Sequence, residues 1–453
     1  MGRKVFISFL GTNNYVETIY EFADGSKSRP VRFVQEALIS AECKNWTNDD
    51  KILIFCTQKA EEKNWVNNGQ DKIESDIEKI GLEQRLKENY SIFNIVEKVN
   101  IPEGFSEKEI WSIFDIVYGK LEPHDEVYFD VTHAFRSIPL FSTILFNFSR
   151  FMIETDVISI KYGAFEKLGA SFEVKKLPIE KRIAPIVDLT DIVHLQTLTR
   201  IADDFKTYGK TSGVGSIFET TNNDKQFNRL VLNLKNGTSK LEEYILLNRV
   251  EQIQKGDFVD TINSGIRNIR KTNSLKQSQE IVLEEIEKSL SSFKVNGGDN
   301  NIVAAINWAL KFNMIQQAYT LAQEYLISLA TKKYKDKCFY SEIDDSIKWR
   351  NYMSSIMGLN SRDVKEKNFK HELAENLELT EYFFSLPEIK EIRTKYSIIA
   401  NNRNILSHGK KSDLSLEKFK KQLENNFNDA FMLLTNCSGL HNGLSLRITS
   451  KNN

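Results

Sequence analysis

Residues 127–153 read VYFDVTHAFRSIPLFSTILFNFSRFMI, and the change of pattern within this stretch decides the fold. The run from Val127 to Val131 is mostly β-branched or aromatic, which is typical of a buried strand. A polar turn follows from Thr132 to Ser137, and apolar residues then recur at helical spacing from Ile138 to Ile153. A strand that passes through a short loop into a long helix is half of a βαβ unit, so this stretch predicts a parallel sheet.

The same alternation extends on both sides of this unit, up to about residue 190. It predicts three more strands (Val5–Leu10, Ile52–Phe55 and Val157–Tyr162) and two more helices (Ile73–Glu88 and Lys108–Leu121). The expected fold of residues 1–190 is therefore a doubly wound α/β domain with a mostly parallel sheet. Such a sheet binds its ligands beyond the carboxyl ends of the strands.

The pattern changes after residue 190. Asp191 to Tyr208 is helical, and Gly209 to Gly215 breaks the pattern, so we interpret residues 191–222 as a helical linker region. From residue 223 to 453, leucine and isoleucine recur at helical spacing with almost no strand signal. The chain is thus expected to combine an α/β domain with an all-helical domain.

Charge and composition exclude several classes of protein. The 453 residues contain 61 Lys and Arg against 62 Asp and Glu, a net charge of -1, so no overall positive field can hold a polyanion. Four scattered cysteines without a CxxC pair, and only six histidines, support neither a disulfide framework nor a metal site, and they favour a reducing, cytoplasmic location. No apolar run approaches the ~18 residues of a membrane span.

Two polar loops follow predicted strands of the α/β half, at the edge where a ligand is expected. Their hydroxyl, amide, imidazole and guanidinium groups suit a phosphate-bearing ligand. The candidate ligand-binding residues are Gly11, Thr12, Asn13, Asn14 and Tyr15 in the first loop, Thr132, His133, Ala134, Phe135, Arg136 and Ser137 in the second, and Thr57 and Gln58 on the rim.

A structural interpretation of the second loop stays open, in which Asp130 and Thr132 cap the following helix while His133 packs. An ordinary dinucleotide or ATP site is not expected. Gly213-Val214-Gly215 lacks a third glycine and follows a helix, and no GxxxxGK[ST] sequence occurs.

The helical half contains a second candidate site, Arg403-Asn404-Ile405-Leu406-Ser407-His408, followed by Gly409. An imidazole that titrates near neutrality and a fixed cation suffice to move a proton and stabilise a pentavalent phosphate. RNA cleavage needs little more, because the ribose 2′-hydroxyl supplies the nucleophile without a metal. The alternative is structural: His408 closes a helix before Gly409, and Arg403 forms a surface salt bridge.

Helical geometry limits how Arg403 and His408 cooperate. Residues five apart on a helix lie about 140° apart around its axis, so the two do not share a face unless the helix ends between them. A second solution is a two-fold dimer in which both chains bring this segment to the axis, giving a composite site with two arginines and two histidines. We favour a homodimer.

These motifs together resemble those of the CARF–HEPN ribonucleases of type III CRISPR systems, in particular the DxTHG-motif group. The resemblance lies in Gly11-Thr12 with Tyr15, in Asp130-Val131-Thr132-His133, and in Arg403-Asn404 with His408. It implies an N-terminal Rossmann-like CARF domain that senses cyclic oligoadenylate made by the type III interference complex. It also implies a C-terminal HEPN domain that is a metal-independent ribonuclease.

The resemblance also assigns roles to residues. Arg403 would stabilise the scissile phosphate, Asn404 would occupy the polar position after the arginine, and His408 would be the general acid or base. The substrate would be single-stranded RNA, cut to 2′,3′-cyclic phosphate and 5′-hydroxyl ends, with cyclic tetra-adenylate the expected allosteric activator. Ala134 departs from the family's glycine, and a methyl group there puts ligand affinity or ring size in question.

Three alternatives remain at this stage. The helical half could only dimerise, which would make the chain a non-catalytic sensor or adaptor. The CARF half could degrade its own activator as a ring nuclease, with Thr132 and His133 aligning the reacting groups. A nucleotide-processing enzyme could work in the α/β crevice with the helical half as a scaffold.

Overall fold

The structure is a computed structural model that describes residues 2–67, 79–91, 93–133, 138–211, 213–215, 225–272, 275–335, 346–359, 361–369 and 372–435. The chain divides into two compact units, Met1–Thr197 and Leu198–Asn453.

Within the described part of the first unit, seven strands form one sheet in the order β2-β7-β6-β5-β1-β3-β4. Every neighbouring pair is parallel except β6 and β7. The strands are β1 (Lys4–Leu10), β2 (Ile19–Glu21), β3 (Lys51–Cys56), β4 (Val96–Asn100), β5 (Glu126–Asp130), β6 (Asp156–Gly163) and β7 (Ile183–Asp188).

Helices connect these strands and cover both faces of the sheet. The central strand β1 shows why, because its side chains are buried on both sides: Phe6 and Leu10 belong to one apolar core, and Val5, Ile7 and Phe9 to the other. The α-helices are α1 (Val34–Glu42), α2 (Gln58–Ala60), α3 (Leu82–Asn89), α4 (Glu107–Tyr118), α5 (Ile138–Ile153), α6 (Ser171–Val174) and α7 (Thr190–Tyr208), the last of which continues into the second unit. A π-helical turn, Glu61–Trp65, follows α2.

The second unit is helical throughout its described residues, around one large apolar core. Within it, α18 packs against α13, α14 and α19. Its helices are α8 (Lys225–Leu246), α9 (Val250–Lys255), α10 (Asp257–Arg270), α11 (Gln277–Leu290), α12 (Asp299–Lys311), α13 (Ile315–Lys333), α14 (Ser346–Gly358), α15 (Ser361–Lys365), α16 (Glu372–Glu375), α17 (Leu377–Ser385), α18 (Pro387–His408) and α19 (Leu416–Thr435).

The predicted fold class is confirmed: a mostly parallel sheet with helices on both faces, followed by a helical region. The four predicted strands appear as β1, β3, β5 and β6, and the helix predicted over Ile138–Ile153 has those bounds. The strands that the sequence pattern missed, β2, β4 and β7, lie at or beside the sheet edges, where polar residues or Pro185 weaken the apolar pattern. No helix in the described ranges combines the length and apolar character needed to cross a membrane.

Candidate functional site

The two predicted ligand loops meet at the topological switch point of the sheet. The chain runs from β1 to β3 and β4 on one side, and then returns to place β5 on the other side of β1. Ser8 of β1 pairs with Asp130 of β5 two residues before β1 ends, so the loops that leave these parallel strands lie next to each other. In an open α/β sheet this is the crevice where ligands bind.

Gly11, Tyr15 and His133 form the contact between the two loops. The rings of Tyr15 and His133 lie with centroids 4.4 Å apart. A Cβ atom on Gly11 would lie 2.5 Å from the Tyr15 hydroxyl oxygen and 3.4 Å from the His133 Cβ. Glycine at position 11 is therefore required by close packing, which explains its place in the motif.

His133 lies in a pocket that disfavours its charged form. Its Nε2 is buried and has no hydrogen-bond partner among the residues that the structure describes. Burial lowers the pKa of His133 to about 4, so the imidazole is neutral at pH 7. A neutral ring packed at a tilt against Tyr15 can pack on a base or form one hydrogen bond with a ligand, but it does not supply a resident positive charge.

A buried polar network holds the turn after β5. Asp130 Oδ2 accepts from Ser8 Oγ at 2.7 Å, Asp130 Oδ1 accepts from the Thr132 backbone N–H at 3.0 Å, and Gln35 Nε2 donates to Ser8 Oγ at 3.0 Å. Thr132 Oγ1 accepts from the Gly163 backbone N–H at 2.8 Å. Burial raises the pKa of Asp130, and its hydrogen bonds to Thr132 and Ser8 oppose that shift. These bonds join the turn to β1 and β6, whereas the helix-capping role that the structural interpretation gave to Asp130 and Thr132 stays a prediction.

Asn64, which the sequence analysis did not select, holds the first loop in place. This buried residue lies on the π-helical turn, and its Nδ2 donates to the backbone carbonyls of Gly11 at 2.8 Å and of Asn13 at 3.0 Å. Arg32 Nη2 donates to Asn64 Oδ1 at 3.4 Å, and the guanidinium lies 5.0 Å from the centroid of the Phe33 ring. The only sequence signal for Asn64 is its position shortly after β3, the strand adjacent to β1.

The other predicted ligand residues are less closely joined to this contact. Thr57 is buried and caps α2, its Oγ1 accepting from the Ala60 N–H, and Gln58 is exposed with its amide bonded to Glu62. Thr12 is partly exposed, and Asn13 and Asn14 are exposed at the loop tip. Ala134, Phe135, Arg136 and Ser137 lie outside the described residues.

The second candidate site lies at the carboxyl end of α18. The helix includes Arg403, Asn404 and His408, and it ends at Gly409, which has φ 58° and ψ 30°. The suggestion that the helix ends between Arg403 and His408 is therefore wrong. Glycine at 409 stops it one residue after His408, because the left-handed conformation costs glycine little. Within one chain the two side chains consequently project about 140° apart.

Arg403 and His408 differ in their surroundings. His408 is exposed, whereas Arg403 is half-buried, its Nε without a hydrogen-bond partner in the described part of the chain. Arg403 Nη1 donates to Asn404 Oδ1 at 3.4 Å, and no ion pair joins Arg403 to another described residue, so the expected surface salt bridge is not found there. A partly buried guanidinium with unused donors suits a phosphate oxygen.

Asn402, the residue before Arg403, anchors this segment of α18. It is buried, and its Nδ2 donates to Tyr319 Oη at 3.0 Å and to Gln422 Oε1 at 2.7 Å. Burial raises the pKa of Tyr319 to about 12, and its hydroxyl donates to the Phe419 carbonyl at 2.9 Å. Asn402 directly precedes the quoted motif, and only the structure distinguishes its inward amide from its polar neighbours. Among the described residues, no cluster of three or more His, Cys, Asp or Glu side chains could hold a metal ion.

Comparisons with known proteins relate this chain to CRISPR-associated proteins. Residues 5–162 match the family model for the CARF domain of the CRISPR system endoribonuclease Csx1. The CRISPR-associated protein MJ1674 of Methanocaldococcus jannaschii is 24% identical over 342 residues, which cover 74% of this chain and 45% of that protein. The chain therefore matches less than half the length of this relative.

The chain also aligns with a solved structure. Enterococcus italicus Csm6, bound to cyclic hexa-2′-fluoro-hexa-dAMP, aligns over 96% of this chain and 94% of its own, with a TM-score of 0.45 and 12% sequence identity. The family match extends over β1, β3, β4 and β5 and most of β6, and it therefore contains both loops of the switch point.

Proposed function

Because its N-terminal unit contains a CARF domain, the chain is a CARF-containing protein of type III CRISPR systems, and we propose that it is an RNA endonuclease activated by a cyclic oligoadenylate. The observation that carries the proposal is the contact between Tyr15 and His133, which brings two motif-bearing loops together at the ligand edge of the sheet. The activity is assigned to the end of α18, in the second unit.

The proposed activator binds at the switch point, across the loops that follow β1 and β5. The exposed amides of Asn13 and Asn14 offer donors for phosphate oxygens, and the adjoining rings of Tyr15 and His133 offer an apolar surface for an adenine. Cyclic tetra-adenylate is the ring we propose. It would link the protein to the type III interference complex as a second messenger in the cytoplasm.

The proposed reaction is transesterification of single-stranded RNA. The ribose 2′-oxygen attacks the adjacent phosphorus while a base removes the 2′-proton, and the bond to the 5′-oxygen breaks as an acid supplies a proton to the leaving oxygen. His408 is the acid or base, and Arg403 binds the phosphate oxygens as negative charge develops. The products are a 2′,3′-cyclic phosphate and a 5′-hydroxyl, and Asn404 supports the arginine through their hydrogen bond.

The proposed active site is built by two copies of the chain. Arg403 and His408 project about 140° apart on one helix, so a two-fold axis near the end of α18 is the simplest way to bring one of each to the same phosphate. Large apolar side chains on α4 and α5 of the first unit are well exposed, with Trp111 60%, Ile144 58% and Phe151 78% exposed. Exposed apolar groups of this size favour association, which supports a homodimer.

The test is a cleavage assay with the purified full chain. A fluorogenic single-stranded RNA is incubated in EDTA with cyclic tri-, tetra- or hexa-adenylate or without a ring. We expect cleavage with cyclic tetra-adenylate, none without a ring, and none for His408→Asn, whereas the exposed His124 changed to Asn behaves as the unchanged protein. Ring binding without RNA cleavage would replace this proposal by the non-catalytic sensor. Loss of the ring itself would indicate the ring nuclease.

A further inference from the structure

A second arginine lies beside the face of α18 that carries Arg403. Tyr396 and Arg403 are seven residues apart, two helical turns, so they share one face of α18. Tyr396 Oη accepts a hydrogen bond from Gln323 Nε2 of α13 at 3.2 Å. Within the described chain, Gln323 Oε1 and Arg403 Nε are both buried without a hydrogen-bond partner. This face therefore keeps one unused acceptor and one unused donor.

Arg350 of α14 borders the same face. Its Nη2 donates to Glu324 Oε2 at 2.6 Å, and its Nη1 donates to Ser328 Oγ at 2.8 Å. The side chains of Arg350 and Glu324 are 35% and 39% exposed, so the ion pair is open to solvent.

Both arginines act electrostatically on the same hydroxyl. Burial is the largest influence on Tyr396 and raises its pKa to about 12, and the charges of Arg350 and Arg403 oppose the rise. The Glu324 charge adds to it. Glu324, which binds Arg350, is the residue after Gln323, which binds Tyr396, so Arg350 borders the face of α18 that carries Tyr396 and Arg403. This face of the helical unit thus presents two positive groups: Arg350 is paired with a carboxylate, and Arg403 has no ion pair with any residue that the structure describes.

We propose that Arg350 binds a phosphate of the RNA next to the one that Arg403 holds, and that Glu324 is the counter-ion it exchanges for that phosphate. The inference rests on the proposed function and names a further substrate-binding residue for it. An exposed arginine–carboxylate pair is worth little in water, so exchanging the carboxylate for a phosphate loses little. A guanidinium also binds two phosphate oxygens as readily as two carboxylate oxygens.

The two partners of this ion pair are expected to have opposite effects when changed. Arg350→Ala removes a phosphate contact, so RNA binding weakens. Glu324→Gln removes the competing carboxylate and leaves the cation, so RNA binding strengthens. An ion pair that only joins α13 to α14 gives the same sign for both changes. The exposed pair formed by Arg362 and Glu366, with Nε to Oε1 2.9 Å, provides the matched control Arg362→Ala.

The experiment uses the full chain with its activating ring and a labelled single-stranded RNA. KM and kcat are measured from initial rates, and RNA affinity is measured by fluorescence anisotropy in a His408→Asn background. We expect Arg350→Ala to raise KM about tenfold with kcat within about twofold, the size expected for one charge-assisted phosphate contact. The slope of log affinity against log salt should fall by about 0.7 for one lost single-strand phosphate contact. Glu324→Gln should bind RNA about threefold more tightly at low salt.

Each result decides the matter. If Arg350→Ala has the same KM and salt slope as Arg362→Ala, the inference is overturned. The proposed function then still stands, provided that Arg403→Ala abolishes cleavage. If Arg350→Ala and Glu324→Gln weaken RNA binding equally, the ion pair only serves packing between α13 and α14. Thermal unfolding would then show a similar loss of stability for both variants. Arg350→Lys, which keeps the charge, should recover part of the salt slope. If the unchanged chain neither binds nor cuts RNA with any ring, the proposed function and this inference both fail.

Discussion

The imidazole of His133 rests on the phenol ring of Tyr15, with 48° between the ring planes. This pair joins the loop after β1 to the loop after β5, across the point where the sheet reverses its strand order. Tyr15 also packs against Phe33, with ring centroids 5.4 Å apart, which ties the pair to the apolar core beneath. A ligand that enters this edge of the sheet therefore meets two rings fixed by the core.

The close approach of Gly11 to Tyr15 predicts the effect of one methyl group. In Gly11→Ala the new Cβ would lie 2.5 Å from the Tyr15 hydroxyl oxygen, so the Tyr15 ring or the loop must shift. We expect binding of cyclic tetra-adenylate to weaken by at least about tenfold, since the surface for the base is displaced. Isothermal titration calorimetry measures this directly.

The matched control for this change is Gly358→Ala, where the added Cβ has no heavy atom within 4 Å among the described residues. It should bind the ring as the unchanged chain does. Unaltered binding by Gly11→Ala would mean that the ligand does not contact the Tyr15 ring.

Asn64 allows a test of loop positioning. Asn64→Ala removes two hydrogen bonds to the carbonyls of Gly11 and Asn13 and leaves both carbonyls without this donor. We expect the free energy of unfolding of the first unit to fall by about 2 kcal/mol, and ring affinity to fall with it. Urea unfolding followed by tryptophan fluorescence measures the first quantity. The exposed amide Asn45, changed to Ala, should alter neither quantity, and a stable Asn64→Ala that binds normally would contradict this role.

His133 makes stability depend on pH in a defined window. Its pKa is about 4 in the folded protein, below the ~6.5 of an unfolded chain, so the unfolded state binds more protons between these values. Stability is therefore lost as pH falls from about 6.5 to about 4, by at most about 3 kcal/mol. Asp130, whose pKa is raised by burial, contributes in the opposite direction. The difference between unfolding curves of the unchanged chain and His133→Gln isolates the histidine, and a flat difference across this window would refute the assignment.

The sequence predicted that the two loops of the α/β half lie together because motif and topology coincide there. A strand pattern followed by polar residues is enough to place Gly11 and His133 at one edge, since parallel strands bring their carboxyl ends together. It did not predict Asn64, because the π-helical turn that directs its amide under the first loop depends on packing and not on a local pattern. The sequence also did not distinguish Thr132, whose hydroxyl oxygen accepts a hydrogen bond from the Gly163 backbone N–H, from the other candidate ligand-binding residues of its loop.

The helical site was predicted as a motif, but its surroundings were not. Sequence spacing fixes the angle between Arg403 and His408, and Gly409 marks the helix end. The approach of Arg350 to the same face depends on how α14 packs against α13 and α18, which periodicity alone does not determine. Local pattern therefore identifies candidate catalytic groups, whereas tertiary packing identifies the groups that assist them.

The continuity of α18 through His408 leads to a test of the two-chain active site. If a phosphate is held by Arg403 from one chain and His408 from its partner, a dimer of an Arg403→Ala chain with a His408→Ala chain keeps one of the two Arg403–His408 pairs of the composite site. Neither variant alone forms any such pair. We expect a mixture of the two inactive proteins, allowed to exchange subunits, to recover about a quarter of the original cleavage rate, because half of the dimers are mixed and each has one working pair of two. The fluorogenic RNA assay with activating ring measures the recovery.

The recovery should require subunit exchange, so it should grow with incubation time and disappear when each variant is crosslinked as a homodimer before mixing. A further check mixes His408→Ala with Asn404→Ala. In the mixed dimer the Asn404→Ala chain supplies a normal His408. The Asn404→Ala chain by itself is expected to retain partial activity. If both residues act from one chain, neither subunit of the Arg403→Ala and His408→Ala dimer has a complete set, and no recovery occurs. Absence of recovery despite verified mixed dimers would therefore exclude the composite site, and it would require α18 to change shape on activation so that one chain can bring both residues to a phosphate.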